Sequence, residues 1–124
     1  VEVKVAYVAG PYKAPTMHQI VANIKAAEAV GVALWRMGVA TVIPHKNTAL
    51  LDGCLSDDPA EDRARWLAGD IEILRRCDCL VTVPGWENSP GAVKEVEAAR
   101  RCMMSVFHWP LCEDDLREQL ITHR

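Results

Sequence analysis

The sequence predicts an α/β domain built on a mainly parallel sheet, and three observations carry that expectation. Short β-branched runs alternate with longer stretches of helical periodicity. Most of these runs close on a Gly or Pro, the residues that punctuate elements. The helical stretches open on cap signatures: Thr16 with Gln19, Asp58-Pro59 with Glu61, and Ser89-Pro90.

Taken in order, Val1 to Val5 alternates and Ala6-Tyr7-Val8-Ala9 is continuously apolar, which reads as a first strand entering a sheet buried on both faces. A loop, Gly10 to Pro15, precedes a helix opened by Thr16 and ending near Gly38. Ile20, Ile24, Ala27, Gly31 and Leu34 share one face of it. Val39 to Ile43 reads as a second strand closed by Pro44, and His45 to Asp57 as a polar loop. The next helix carries its core stripe on Ala64, Leu67, Ile71 and Leu74, with Asp70 bordering that stripe. Cys79 to Val83 is a third strand, Met103 to Trp109 a fourth, and Glu113 to Thr122 a last helix with Leu116 and Leu120 inward. The expected architecture over 1–124 is a single-domain, Rossmann/flavodoxin-like three-layer sandwich with a four- to five-stranded, mainly parallel sheet.

Composition narrows the function classes. With 124 residues, half of them hydrophobic and a quarter charged, the chain can bury one real core. A net charge of -3 without a basic run gives no footprint for nucleic acid. No segment approaches a membrane span, and the N-terminal residues read as a strand rather than a signal peptide. Five cysteines without framework spacing fit reduced thiols and a cytoplasmic setting. Cys77 and Cys79 form a C-x-C pair too short to signal a metal site, and read as small core residues.

The chemistry gathers around Asp78 to Arg101. There a strand, a Pro-Gly loop and a helix N-terminus follow one another, the geometry that offers free backbone N–H groups to an anion. Glu95 lies about a turn and a half into that helix and leans back toward the loop, as a partly exposed residue. In parallel sheets ligands collect at the carboxyl ends of strands. Three groups come from such ends: Tyr7 and Gly10, then His45, then Ser89 with Glu95. The plain alternative is a surface loop whose Glu is solvated, with Tyr7 a core aromatic and Ser89 only a helix cap.

Four blocks then look familiar in order and spacing: Tyr7-Val-Ala-Gly10-Pro-Tyr12-Lys13, Gly69-Asp70-Ile-Glu-Ile-Leu, Cys-Asp78-Cys-Leu-Val-Thr-Val, and Ser89-Pro-Gly91-Ala-Val-Lys-Glu95. From Val3 to about Phe107 the chain resembles the nucleoside 2-deoxyribosyltransferase superfamily. It is nearer the branch of (deoxy)ribonucleoside 5'-monophosphate N-glycosidases. The resemblance implies that Glu95 is a nucleophile forming a glycosyl ester, that Asp70 protonates the departing base, and that Tyr7 orients Glu95. It also implies that Ser89 faces a 5'-phosphate, where the transferases carry an acid for a 5'-hydroxyl. Gly10, Tyr12, Lys13, His45 and Gly91 complete the candidate substrate site, with His45 either contacting sugar or base or serving as a local hydrogen-bonding residue. The first loop departs from the hydrolase pattern, with Pro11 in place of a serine and Lys13 in place of an arginine. Lys13 keeps the charge without the bidentate fork.

The expected activity is hydrolysis of the N-glycosidic bond of a (deoxy)ribonucleoside 5'-monophosphate, with no cofactor and no metal. Two other readings stay open: base exchange between nucleosides through the same ester, and a non-catalytic nucleotide-binding sensor module. The family also implies a homo-oligomer, a dimer or larger. Trp86 and Trp109 read as packing or subunit contacts, and Tyr12 either stacks on a base or packs against the His45 loop.

Overall fold

An uninterrupted apolar run makes the central strand. β1 (Val5–Ala9) is fully buried from Ala6 onward. It pairs in parallel with β2 (Ala40–Val42) on one side and β3 (Cys79–Thr82) on the other. β4 (Ser105–His108) extends the sheet beyond β3, so the order is β2-β1-β3-β4 with every pairing parallel. This is a computed structural model in which residues 2–110 and 113–122 are described. The expected α/β class holds, with four strands among those residues. Val1, expected in the first strand, and Cys112 lie outside them.

Period-two alternation sorts the strands onto two apolar layers. Ala6, Val8, Cys79 and Val81 pack with Ala27, Val30 and Leu34 of α1 (Met17–Arg36). Leu116 and Leu120 of the last helix join them, as expected. Tyr7, Ala9 and Leu80 face the opposite way, onto Leu74 of α3 (Pro59–Leu74) and Val96 and Ala99 of α4 (Pro90–Arg101). The cap signatures are realised. Thr16 and Gln19 form a reciprocal capping box, Asp58 Oδ1 accepts from Ala60 N at 3.3 Å, and Ser89 Oγ accepts from Ala92 N at 3.3 Å.

Several expectations need correcting. Strand pairing begins at Val5, and the stretch read as one polar loop opens with a short helix, α2 (Pro44–Asn47). Proline at a first helical position starts that turn as readily as it ends a strand. The last helix is α-helical over Glu113–Leu116 (α5) and continues as a π-helix over Arg117–Thr122. Ala64 is exposed rather than buried, because the first half of α3 lines a cleft instead of the sheet. Glu95 is buried, not partly exposed. It falls on the same helical stripe as Ala92, Val96 and Ala99, and that stripe faces the sheet.

Trp86 and Trp109 both pack against the core, one on each face of the sheet. Cys54, Cys77 and Cys102 are free thiols. No described helix is long and apolar enough to cross a membrane.

Candidate active site

The chain leaves β1 for β2 on one side, while β3 lies on the other, so the loops after β1 and β3 diverge at a topological switch point. Gly10 and Val83 meet there. A Cβ on Gly10 would stand 2.6 Å from Val83 Cβ, so only glycine lets the two strand ends approach this closely. Above this contact opens a cavity of about 760 Å³. Gly10, Tyr12, Lys13, His45, Asp70, Ser89, Gly91 and Glu95 all line it, so eight of the nine residues expected at the site converge.

Tyr7 is the exception. It is wholly buried beneath the site, and its hydroxyl donates a hydrogen bond to Glu95 Oε2. From there it can orient that carboxyl without itself lining the cavity. Burial raises the phenol far above its ordinary range, and the charges of Glu95 and Asp70 push it further, so it stays a neutral donor.

Burial also dominates at the two carboxyls. It raises Glu95 to about 8, against the lowering effect of the Tyr7 hydrogen bond and with a smaller push from Asp70. Asp70, half-buried on α3, is raised by burial to about 6. Two acids in one cleft that each hold a proton at unusually high pH form an arrangement suited to general acid and nucleophile chemistry.

The β3–α4 connection supplies the donors. Gly85 takes φ 90, a left-handed turn that glycine accepts without strain, and a single 3₁₀ turn (Trp86–Asn88) delivers Ser89 to the cap. Trp86 stacks on His108 with centroids 5.5 Å apart and planes 7° apart, and Thr82 Oγ1 lies 2.8 Å from His108 Nδ1. These contacts steady the loop from the β4 side. Ser89 Oγ accepts from Ala92, so its hydroxyl proton remains free to donate into the cavity, and the cap leaves room for a donor role. Pro90 has no N–H and Ala92's is taken. Gly91 therefore presents the first open amide of α4 to an anion, with nothing within 4 Å of where its Cβ would be.

The β1–α1 loop is built differently. His45 Nε2 bonds the Pro11 carbonyl at 2.8 Å, and burial lowers the ring's pKa, so the imidazole is neutral and donates. Tyr12 packs edge-on against His45 at 5.7 Å, the packing alternative of the two considered for it. Its hydroxyl accepts from Leu50 N and donates to Asp52 Oδ1, both at 2.9 Å. Lys13 forms an ion pair with Asp52 Oδ2. Asp62, buried at the start of α3, accepts from Gly53 N at 2.8 Å and Leu55 N at 3.0 Å. The segment 50–55 is thus strapped between the first loop and α3.

The sequence reading missed Asp52, Asp62, Arg63 and Trp66, all of which line the cavity. Asp52 lies 39 residues from Lys13, and nothing local in the loop announces that pairing. Asp62 had a signal, an acid in the first turn of a capped helix. Among the described residues no group of three or more His, Cys, Asp or Glu is placed to hold a metal ion.

No curated protein matches the chain. A family model does match residues 4–109, and the chain belongs to that family, described as a domain of unknown function (DUF7768).

Proposed function

We propose that this protein is an N-glycosidase acting on a (deoxy)ribonucleoside 5'-monophosphate, with Glu95 as nucleophile and Asp70 as general acid. The observation that carries this reading is the grouping of Tyr7, Asp70 and Glu95 on one sheet face, beside an open helix N-terminus. A nucleotide binder needs the anion loop alone. Two proton-holding carboxyls, one oriented by a buried phenol, are what breaking a glycosidic bond requires.

In the first step a Glu95 oxygen attacks the anomeric carbon. The bond from that carbon to the base nitrogen breaks, its electron pair leaves with the base, and the Asp70 proton satisfies it. The Tyr7 hydroxyl keeps one Glu95 oxygen occupied, which presents the other to the sugar. In the second step water attacks the anomeric carbon of the glycosyl ester, Asp70 takes a water proton, and Glu95 leaves as carboxylate. The products are free base and sugar 5-phosphate. Ser89, the Gly91 amide and the dipole of α4 are suited to the 5'-phosphate, and a carboxylate at position 89 would repel it.

A homo-oligomer fits the exposed apolar side chains of α1. Met17, Val21, Val32 and Trp35 are 59%, 38%, 41% and 57% exposed and share one arc of the helix. Free thiols at Cys54, Cys77 and Cys102 fit a cytoplasmic setting.

The decisive experiment incubates the protein with ribo- and deoxyribonucleoside monophosphates and follows free base by chromatography. In parallel, acid-quenched protein is digested and searched for a sugar-phosphate adduct on Glu95. Base release with the adduct is the expected result. No release from any monophosphate, with exchange of bases between free nucleosides, would replace hydrolysis by transfer.

A further inference from the structure

Lys13 and Asp52 are the candidates that the proposed chemistry leaves unexplained. Both line the cavity, and together they neutralise the one cation that the first loop contributes to it. Asp52 is held by two donors from that loop, the Lys13 ammonium and the Tyr12 hydroxyl. Burial alone would raise the Asp52 carboxyl, yet those hydrogen bonds and the Lys13 charge leave it below the ordinary range. The pair is only partly shielded, with the two side chains 56% and 34% exposed.

We infer that Asp52 is a specificity-determining residue: an internal counter-ion that occupies Lys13 until the phosphate of a ligand displaces it. The inference rests on the nucleotide reading above and goes beyond it, by naming the residue that sets how strongly phosphate is preferred. The comparison of strengths favours displacement. A solvent-exposed ion pair biases an equilibrium by roughly fivefold at most. A phosphate dianion brings about twice the charge and also finds Ser89 and the Gly91 amide. The Asp52 oxygen released in the exchange turns toward water, while Tyr12 continues to hold the other. A ligand without phosphate cannot make the exchange, so Asp52 keeps Lys13 silent toward free nucleosides and subtracts from the binding of phosphorylated ones.

The test is calorimetric binding of a nucleoside 5'-monophosphate and of the matching free nucleoside, in a Glu95→Gln background that prevents turnover. Asp52→Asn retains an acceptor for Tyr12 and removes the competing charge. It should raise the monophosphate-over-nucleoside affinity ratio by about fivefold, and the gain should shrink with added salt. Lys13→Gln should lower the ratio, and in Lys13→Gln/Asp52→Asn the gain should vanish. An unchanged or reduced ratio in Asp52→Asn, or a gain that persists without Lys13, overturns the counter-ion role. These outcomes are read from binding alone. If the ratio moves as expected but wild type releases no base, the glycosidase reading fails and the counter-ion role stands. If neither variant binds the monophosphate, both fall.

Discussion

Tyr7 and Val8 are neighbours on the same strand, both fully buried, and they face two different kinds of interior. Val8 points into an apolar layer beneath α1 and α5. Tyr7 points toward α4, where its hydroxyl meets a buried carboxyl. One face of the sheet gains stability by excluding water from apolar surface. The other spends part of that gain on holding Glu95 out of water. The lesson is that burial on the second face serves electrostatics, because a carboxyl's reactivity is set by the solvent it has lost.

The contrast can be broken most sharply at Glu95. Glu95→Gln should reduce base release by at least about a thousandfold, since the proposed mechanism forms its ester on Glu95. The same variant should unfold at higher temperature than wild type, because it removes a buried acid while leaving an acceptor for Tyr7. Paired activity and calorimetry data check both halves, and a destabilised Glu95→Gln would argue against the contrast.

Leu34→Ala is the counterpart on the apolar face. Leu34 is fully buried beneath the sheet, and its truncation should cost about 2–5 kcal/mol in denaturant unfolding. Turnover per folded molecule should remain that of wild type, as measured under conditions where the variant is folded.

Asp70→Asn sharpens the comparison through pH. In the free protein Asp70 titrates near 6 and Glu95 near 8, whereas the proposed attack needs Glu95 ionised and Asp70 protonated. The active form is therefore the less populated arrangement of a single shared proton, at most about one part in a hundred. Below about 6 both groups are protonated and the nucleophile is lost. Above about 8 both are ionised and the acid is lost, so kcat/KM should be bell-shaped with its maximum near 7. Asp70→Asn should lower kcat about a hundredfold for a poor leaving base and far less for an activated one. It should also abolish the alkaline limb, leaving a rate that rises with pH to a plateau.

The mildest change is Tyr7→Phe. Losing the donor should raise the Glu95 pKa further and move the alkaline limb, which is Glu95's own titration, to higher pH, with roughly a tenfold fall in kcat/KM near neutrality. A loss in kcat/KM without any movement of the limb would mean that Tyr7 acts only by packing.

Stability should carry its own pH signature. Glu95 holds its proton more tightly folded than unfolded, so the folded state binds more protons between about 4.5 and about 8. Stability therefore falls as pH rises through that window, by up to a few kcal/mol, and the fall is complete above it. Glu95→Gln should flatten that slope in denaturant titrations run across the same range.

What could be read from the sequence was local. Thr16 with Gln19, Asp58-Pro59 and Ser89-Pro90 each carry their cap within four residues, and all three helices start there. The burial of Glu95 was also readable, since it stands three after Ala92 and four before Ala99. It was obscured because a charged residue is ordinarily placed outward. Ala64 was misread for the opposite reason: an apolar stripe says that a helix covers something, but not where the sheet beneath it ends. The strap over 50–55 was beyond reach. Its anchors, Tyr12 with Asp52 and Asp62 with Gly53, are tertiary choices among many polar residues of similar character.

The contact between Gly10 and Val83 has a consequence for how this scaffold can change its ligand. Position 10 admits no side chain, so the spacing of the two strand ends, and with it the floor of the cleft, is fixed by the Gly10 backbone against the Val83 side chain. Any retuning of what the cleft accepts must come from its walls. Pro11, Tyr12 and Lys13 sit immediately beyond the fixed point, and 50–55 is tied to them by side chains alone. A library confined to those two segments would explore ligand preference without moving Glu95 or Asp70, whereas one that included position 10 would mostly return unfolded protein.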